Sequence, residues 1–175
     1  SVRDPMTFAP VPPGTPGLLC VRGPTGTLYW NRPDEQRKVI RDGWNVFQDI
    51  VVRDAAGFIR YVSRSDDMIV TAGYNVSPVD VETVLIRHPA VAECACVPAP
   101  DPDGVRAHIV KAYVVVNDGV AADAALKRTL QEFFKANAPP YMYPRAIAFV
   151  PALPKTPSGK LQRGELRQRA ANERD

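Results

Sequence analysis

Proline restricts this 175-residue chain more than any other component, because each of its 18 prolines fixes φ and removes a backbone donor, and they are unevenly placed. Residues 5–16 (Pro-Met-Thr-Phe-Ala-Pro-Val-Pro-Pro-Gly-Thr-Pro) read as an extended opening segment with little regular structure. Such an opening, behind Ser1 and not Met, suits a piece of a longer chain. Later prolines punctuate helices. Ser77-Pro78 supplies an N-cap and a proline at the first helical position, Pro89 ends that helix, and Pro139-Pro140 stops another.

From Gly17 to about Ser63 the pattern predicts short strands at Leu18–Val21, Thr27–Trp30, Asp49–Val52 and Phe58–Val62, separated by glycines and the Asp54-Ala-Ala-Gly57 turn. Residues 34–41 add a helical turn. After Ser63-Arg64-Ser65-Asp66-Asp67 strands and helices alternate: a strand at Met68–Ala72, a helix from Ser77 to about Arg87, β-branched strands at Val91–Val97 and Ile109–Val116, a helix over 122–136, a strand at Arg145–Val150 and a charged helix from about Gly164. The 122–136 helix is the clearest, with Leu126, Leu130, Phe133 and Phe134 on one face. The expected fold class is α+β: a small antiparallel β subdomain, then a compact α+β domain with a mixed sheet and about three helices.

Composition excludes several kinds of function. Apolar residues at 45% and charged residues at 23% rule out a disordered or fibrous chain. No apolar run approaches the ~18 residues of a membrane span, so no membrane partner is expected. The net charge of +3 is split as +3 over residues 1–64, −3 over 65–150 and +3 over 151–175. That distribution suits a small anionic ligand, and without an aromatic platform or a groove-reading helix no nucleic-acid partner is expected. Cys20, Cys94 and Cys96 cannot all pair with one another, no hydrophobic leader precedes them and no zinc spacing joins them. A cytoplasmic setting and no metal site follow, with Cys94 and Cys96 as buried thiols on one strand face.

Two stretches carry chemistry. Pro154-Lys-Thr-Pro-Ser-Gly-Lys160-Leu-Gln-Arg163 presents a lysine on a tight, permissive turn, its ammonium suited to a phosphate or carboxylate. It is not a Walker A loop, since Pro154 stands where the first glycine is required and Leu161 follows the lysine. On residue types alone the stronger reading is a solvated loop lysine. The second stretch, Tyr61-Val-Ser-Arg64-Ser-Asp66-Asp67-Met-Ile-Val-Thr-Ala-Gly73-Tyr74-Asn75-Val-Ser-Pro78-Val-Asp-Val-Glu82, sets an arginine and two aspartates at the domain junction, ahead of a strand and a Gly-Tyr turn.

Together these stretches resemble the C-terminal part of the adenylate-forming enzymes, whose chains carry Gly-Arg-x-Asp-Asp-x-Ile, Gly-Tyr-x-Ile-x-Pro-x-Glu-Ile-Glu and Pro-Lys-Thr-x-x-Gly-Lys-x-x-Arg at this separation. With Gly43-Trp44 and Asp49 the resemblance covers essentially the whole chain. It is nearest to benzoate and 2-aminobenzoate CoA ligases and medium-chain acyl-CoA synthetases, through Tyr141-Met-Tyr-Pro-Arg145.

The resemblance implies roles residue by residue. Asp49 matches the aspartate of a Thr-Gly-Asp run that takes the ribose hydroxyls of ATP or AMP, although here the run is Phe47-Gln48-Asp49. Arg64 matches an arginine on the ribose and phosphate side of the nucleotide, with Ser63 in place of the family glycine. Asp66 matches the hinge about which the small domain swings, its other reading being a solvated turn carboxylate. Lys160 matches the catalytic lysine that meets carboxylate and α-phosphate oxygens during adenylation. Ala72, Gly73 and Tyr74 match the loop lining the pantetheine tunnel for CoA, with Asn75 where relatives often carry arginine. Arg106 matches, at shifted spacing, an arginine near the CoA phosphates; Arg145 is a similar residue or a surface arginine, and His88 and His108 attract no role.

Implied overall are residues 1–64 as the end of a large adenylation domain and 65–175 as a mobile C-terminal domain. The parent would be an ATP-dependent acid:CoA ligase for an aromatic acid, using ATP, CoA and Mg2+, the metal held mainly by an N-terminal adenylation domain outside the chain. Two alternatives stay open: an adenylation domain that loads a carrier protein, and a non-catalytic binding module that keeps the fold.

Overall fold

The computed structural model describes residues 1–24, 26 and 28–173. The chain divides into two compact units, Ser1–Asp66 and Asp67–Asp175.

In the first unit, strands β1 (Val2–Arg3), β2 (Pro16–Val21), β3 (Ile40–Arg41), β4 (Trp44–Arg53) and β5 (Ile59–Arg64) form an antiparallel sheet, with helix α1 (Pro33–Val39) leading into β3. The long strand β4 organises it: β2 pairs along residues 45–52, while β3 pairs at 44–45 and β5 at 49–53. Opposite the Ile50/Val51 step, β5 carries Val62 as an extra residue, a bulge that re-aims Ser63 and Arg64. Val2, Phe8, Cys20, Ile50 and Val51 are buried. Helix α1 buries nothing; proline at its start, acids in its first turn, bases in its last and the Lys38–Glu35 pair at 3.0 Å hold it at the surface.

The second unit contains the hairpin β6 (Ile69–Thr71) and β7 (Tyr74–Val76), helix α2 (Pro78–Leu85), strands β8 (Val91–Pro100) and β9 (His108–Val116), helix α3 (Ala124–Asn137), strand β10 (Pro144–Phe149) and helix α4 (Arg163–Asn172). The sheet order is β10-β9-β8, with β9 antiparallel to β8 and parallel to β10. The parallel pair needs a crossover, and α3 supplies it. Alternation along the strands builds two cores. Cys96, Val110, Ala112 and Val114 pack with Ile69, Val76, Val81, Leu85, Leu130 and Phe134; Ala95, Val97, Ile109 and Tyr113 pack with Leu166 and Ala170 of α4. The mixed sheet and the three α-helices among the described residues of this unit match the expected α+β class.

Four expectations need correction. Residues 28–30 form no strand, and Thr27 lies outside the described residues; Leu28 and Trp30 stay 85% and 92% exposed, so the burial that turns such a run into a strand is missing. The Met68–Ala72 strand stops at Thr71, because Ala72-Gly73 is a two-residue hairpin turn into a three-residue strand too short to show periodicity. Strand β8 passes Pro98 and Pro100, which an edge strand tolerates. Helix α2 ends at Leu85, with Arg87 and His88 in turns that bond back to Val84 and Leu85.

Lys111 lies in the middle of β9 and is only 1% exposed. A buried ammonium needs a partner, and Glu173, just past α4, stands 3.0 Å away while also accepting from the Tyr113 hydroxyl at 2.9 Å. Burial pushes the Glu173 carboxyl up, but hydrogen bonds from Arg169, Lys111 and Tyr113 outweigh it and hold the pKa at about 2. A depressed carboxyl stabilises the fold above its unfolded value near 4.5 and stops doing so as pH falls toward 2. Thermal melts of the chain against Glu173→Gln should therefore differ at pH 6 and converge between about pH 4.5 and pH 2.

Candidate functional site

The first unit gathers three of the residues singled out by sequence. The β4–β5 register sets Asp49 opposite Arg64, and the bulge just before Ser63 is what makes that register fall. Both line a cleft of about 230 Å³ with Tyr29, Val39, Asn45, Val46, Phe47 and Gln48. The Tyr29 backbone N–H donates to the Gln36 side chain on α1 at 2.8 Å, fixing that wall. The Arg64 guanidinium donates from Nε to Asp66 Oδ1 at 2.9 Å, and from Nη2 to Asp66 Oδ2 at 3.2 Å and Gln48 Oε1 at 2.7 Å. Asp49 is different: its carboxylate has no hydrogen bond or ion pair to any described residue. An acceptor-only group at a cleft wall suits a diol or another pair of donors.

The second unit carries the remaining residues on three turns. Ala72 and Gly73 join β6 to β7 with φ of 48° and 81°, a left-handed pair of the kind a two-residue hairpin demands. Gly73 adopts it freely, whereas Ala72 costs about 1–2 kcal/mol there. The Tyr74 ring stacks on Tyr141 with centroids 4.7 Å apart and planes 15° apart, holding one side of the strained turn. Arg106 lies in the β8–β9 loop and is tied to it: its backbone N–H donates to Asp101 Oδ2 at 2.9 Å, and its guanidinium stands 3.7 Å from the same carboxylate. Arg145, at the start of β10, is exposed.

Lys160 follows a compact loop. Gly159 N–H donates to Thr156 O at 2.8 Å, Thr156 N–H donates to Lys160 O at 2.8 Å, and Gly159 sits at φ 81°. This is a three-residue hairpin that closes through a left-handed glycine, with Pro157 at its first corner. Thr156 Oγ1 also accepts the Lys160 backbone N–H at 3.1 Å, so the backbone is fixed while the ammonium has no partner among the described residues.

A second set of charges is spent on structure. Arg163 opens α4 and donates to Glu82 Oε1 at 2.5 Å, to Glu82 Oε2 at 2.7 Å and to the Cys96 carbonyl at 3.1 Å, with Asp67 3.5 Å from its Nε. Glu82 Oε1 further accepts the Cys96 N–H at 2.6 Å, and Arg167 donates to Asp67 at 2.8 Å. Burial opposes the Arg163 charge, yet Glu82 and Asp67 outweigh it and raise its pKa. Sequence reasoning assigns Arg163 and Glu82 no part in this geometry, although both stand inside the quoted motifs; carboxylates at 67 and 82 and an arginine at 163 are the only signal it has.

The half-buried Glu82 carboxylate also acts on the neighbouring thiols. Burial first, and Glu82 second, push Cys94 up to about 12 and Cys96 well above its ordinary value; burial raises Cys20 too. All three cysteines are free thiols. Since the thiolate is the reactive form, a disulfide-exchange reagent at pH 7.5 should label Cys94 and Cys96 of the native chain at least 100-fold more slowly than the unfolded chain, and equal rates would contradict this environment.

Residues 80–160 match the family of AMP-binding enzyme C-terminal domains. The chain is 40% identical over 166 residues to a long-chain-fatty-acid–CoA ligase of Escherichia coli, covering 94% of this chain and 28% of that one. Among solved structures it is 36% identical to the anthranilate CoA ligase AuaEII in complex with anthranoyl-AMP, with a TM-score of 0.85 over 97% of this chain and 33% of the other. It is 38% identical to a benzoate CoA ligase from Burkholderia xenovorans, with a TM-score of 0.79 over 95% and 32%. The chain thus spans about a third or less of the length of the proteins it matches. Its motifs, its mixed sheet and this likeness along nearly its whole length make it a C-terminal part of the adenylate-forming, acyl-CoA synthetase family.

Proposed function

We propose that the chain is the C-terminal portion of an ATP-dependent acid:CoA ligase acting on an aromatic acid of the benzoate or 2-aminobenzoate type. Residues 1–64 complete a large adenylation domain, residues 65–175 are the mobile domain, and Asp66 is the hinge between them. The observation that carries this reading concerns charge. Asp67 and Glu82 are each paired with Arg163, and of the residues matched to nucleotide-binding roles Arg64 is bonded to Gln48 and Asp66, whereas Asp49 and Lys160 are left without side-chain partners among the described residues. These two are the groups that nucleotide chemistry needs. The aromatic acid is favoured by the benzoate and anthranilate ligases among the structural neighbours.

In the proposed reaction a carboxylate oxygen of the acid attacks the α-phosphorus of ATP, the bond to pyrophosphate breaks, and acyl-AMP forms. The CoA thiol then attacks the acyl carbon, AMP leaves with the bonding electron pair, and the thiol proton passes to solvent. Asp49 accepts from the ribose hydroxyls. Lys160 neutralises charge where carboxylate and phosphate approach, which is the electrostatic role worth most in such a step. Gly73, without a Cβ, and the neighbouring Ala72 and Tyr74 leave room for the narrow pantetheine arm, with Arg106 near the CoA phosphates. In this reading Mg2+ accompanies the phosphates of ATP and is held mainly by the N-terminal adenylation domain outside the chain. No helix of the described chain is long and apolar enough to cross a membrane. A cytoplasmic location belongs to the proposal and is supported by the three free thiols.

In the full-length enzyme, Lys160→Ala should slow acyl-AMP formation from benzoate or 2-aminobenzoate about 100- to 1000-fold, measured by ATP–pyrophosphate exchange. Thioester formation from supplied acyl-AMP and CoA should stay within a few-fold of wild type. Equal loss in both half-reactions would remove the lysine from its assigned step, and exchange with a medium-chain acid alone would remove the aromatic assignment.

A further inference from the structure

Gln48 is one of the two residues at which the tripeptide ending in Asp49 departs from the family run, and the structure gives its side chain a specific partner. Its backbone carbonyl accepts the Ser65 N–H at 2.6 Å, holding the segment beyond β5 against β4. Its side-chain Oε1 accepts from Arg64 Nη2 at 2.7 Å. The same guanidinium is held through Nε and Nη2 by Asp66, at 2.9 and 3.2 Å. That Arg64–Asp66 pair is open to solvent, with side chains 41% and 44% exposed, and such a pair fixes geometry weakly by itself.

Gln48 adds an anchor from a second strand. A planar fork held by acceptors on both β4 and the segment after β5 has its orientation set. The amide does this without charge: a carboxylamide oxygen accepts the N–H but leaves the positive charge of Arg64 available to an anion. Gln48, Asp49 and Arg64 all line the same cleft.

We propose that Gln48 is a positioning residue for nucleotide binding: its side-chain oxygen holds the Arg64 guanidinium at the wall of the Asp49 cleft, in the orientation that receives the ribose and phosphate side of AMP or ATP. The proposal rests on the ligase reading above for the identity of the ligand. It makes the departure from the family run a substitution with a function, in which an amide at position 48 does the holding.

The test is calorimetric titration of AMP into the full-length enzyme as wild type, Gln48→Met and Gln48→Glu. Methionine keeps the length of the side chain and removes the acceptor; glutamate keeps an oxygen at the same reach. Gln48→Met should weaken AMP about 10-fold, the usual worth of one hydrogen bond to a charged group, and should raise the KM for ATP in pyrophosphate exchange by a similar factor with kcat within about twofold. Gln48→Glu should also weaken AMP, because its carboxylate keeps the hydrogen bond but offsets the Arg64 charge that the anion needs, and the melting temperatures of the three proteins should agree. Wild-type AMP affinity in Gln48→Met or in Gln48→Glu, or a loss that falls on kcat and not on the KM for ATP, overturns the role of Gln48 and leaves the ligase reading intact. An enzyme that binds AMP but forms acyl-AMP with no acid overturns the ligase reading, while the titrations still decide Gln48. Failure of the wild type to bind AMP overturns both.

Discussion

The interaction on which the second unit depends is the guanidinium of Arg163, taken out of water with the Glu82 carboxylate and leaving each side chain only 15% exposed. Two opposite charges so placed are tolerable only when their geometry is good and the remaining donors and acceptors are used. Here they are: both Glu82 oxygens accept from Arg163, one also accepts the Cys96 N–H, and the arginine reaches the Cys96 carbonyl and the Asp67 carboxylate. The start of the unit, helix α2, strand β8 and the head of α4 thereby meet at one side chain. Removing either partner takes from the other, mostly out of water, its main opposite charge, and a fully buried pair broken in this way costs about 3–5 kcal/mol, an upper bound here.

That anchor explains where Lys160 stands. The lysine lies three residues before Arg163, behind a hairpin closed by its own backbone bonds and by Gln162 N–H to Pro154 O at 2.9 Å. One end of the loop is pinned by the buried pair, and Lys155 pairs with Glu93 at 2.6 Å near the other. A long, flexible side chain is thus delivered by a backbone tied at both ends of its loop. Asp49 is delivered in a comparable way, from the middle of the longest strand of its sheet. In both units ladder or turn geometry carries a charge that has no side-chain partner among the described residues.

Much of this was legible in the sequence because it is local. The period of α3, the Ser77-Pro78 start of α2, whose hydroxyl does accept the Asp80 N–H at 3.4 Å, and the Pro-Ser-Gly turn below Lys160 depend on residues a few positions apart. The alternation that buries Cys96 beside the half-buried Cys94 is equally local. What the sequence hid is long-range. Arg163 and Glu82 are 81 residues apart, and nothing in their spacing says that one neutralises the other. Gln48 reads only as a break in a familiar run until the strand register and the Val62 bulge bring it to Arg64. The Leu28-Tyr29-Trp30 run fails for the opposite reason: its local pattern is that of a strand, but nothing buries Leu28 or Trp30. The Tyr74–Tyr141 stack and the strain at Ala72 likewise need coordinates.

The most direct test of the central claim is a double-mutant cycle on Arg163 and Glu82, using Arg163→Met, Glu82→Gln and the double variant, with stability read from equilibrium urea unfolding. If the buried pair organises the unit, the double variant will be less destabilised than the sum of the two singles, with a coupling of about 2–3 kcal/mol. Additivity to within about 0.5 kcal/mol would contradict the account, because it would mean that neither charge depends on the other for its place in the fold.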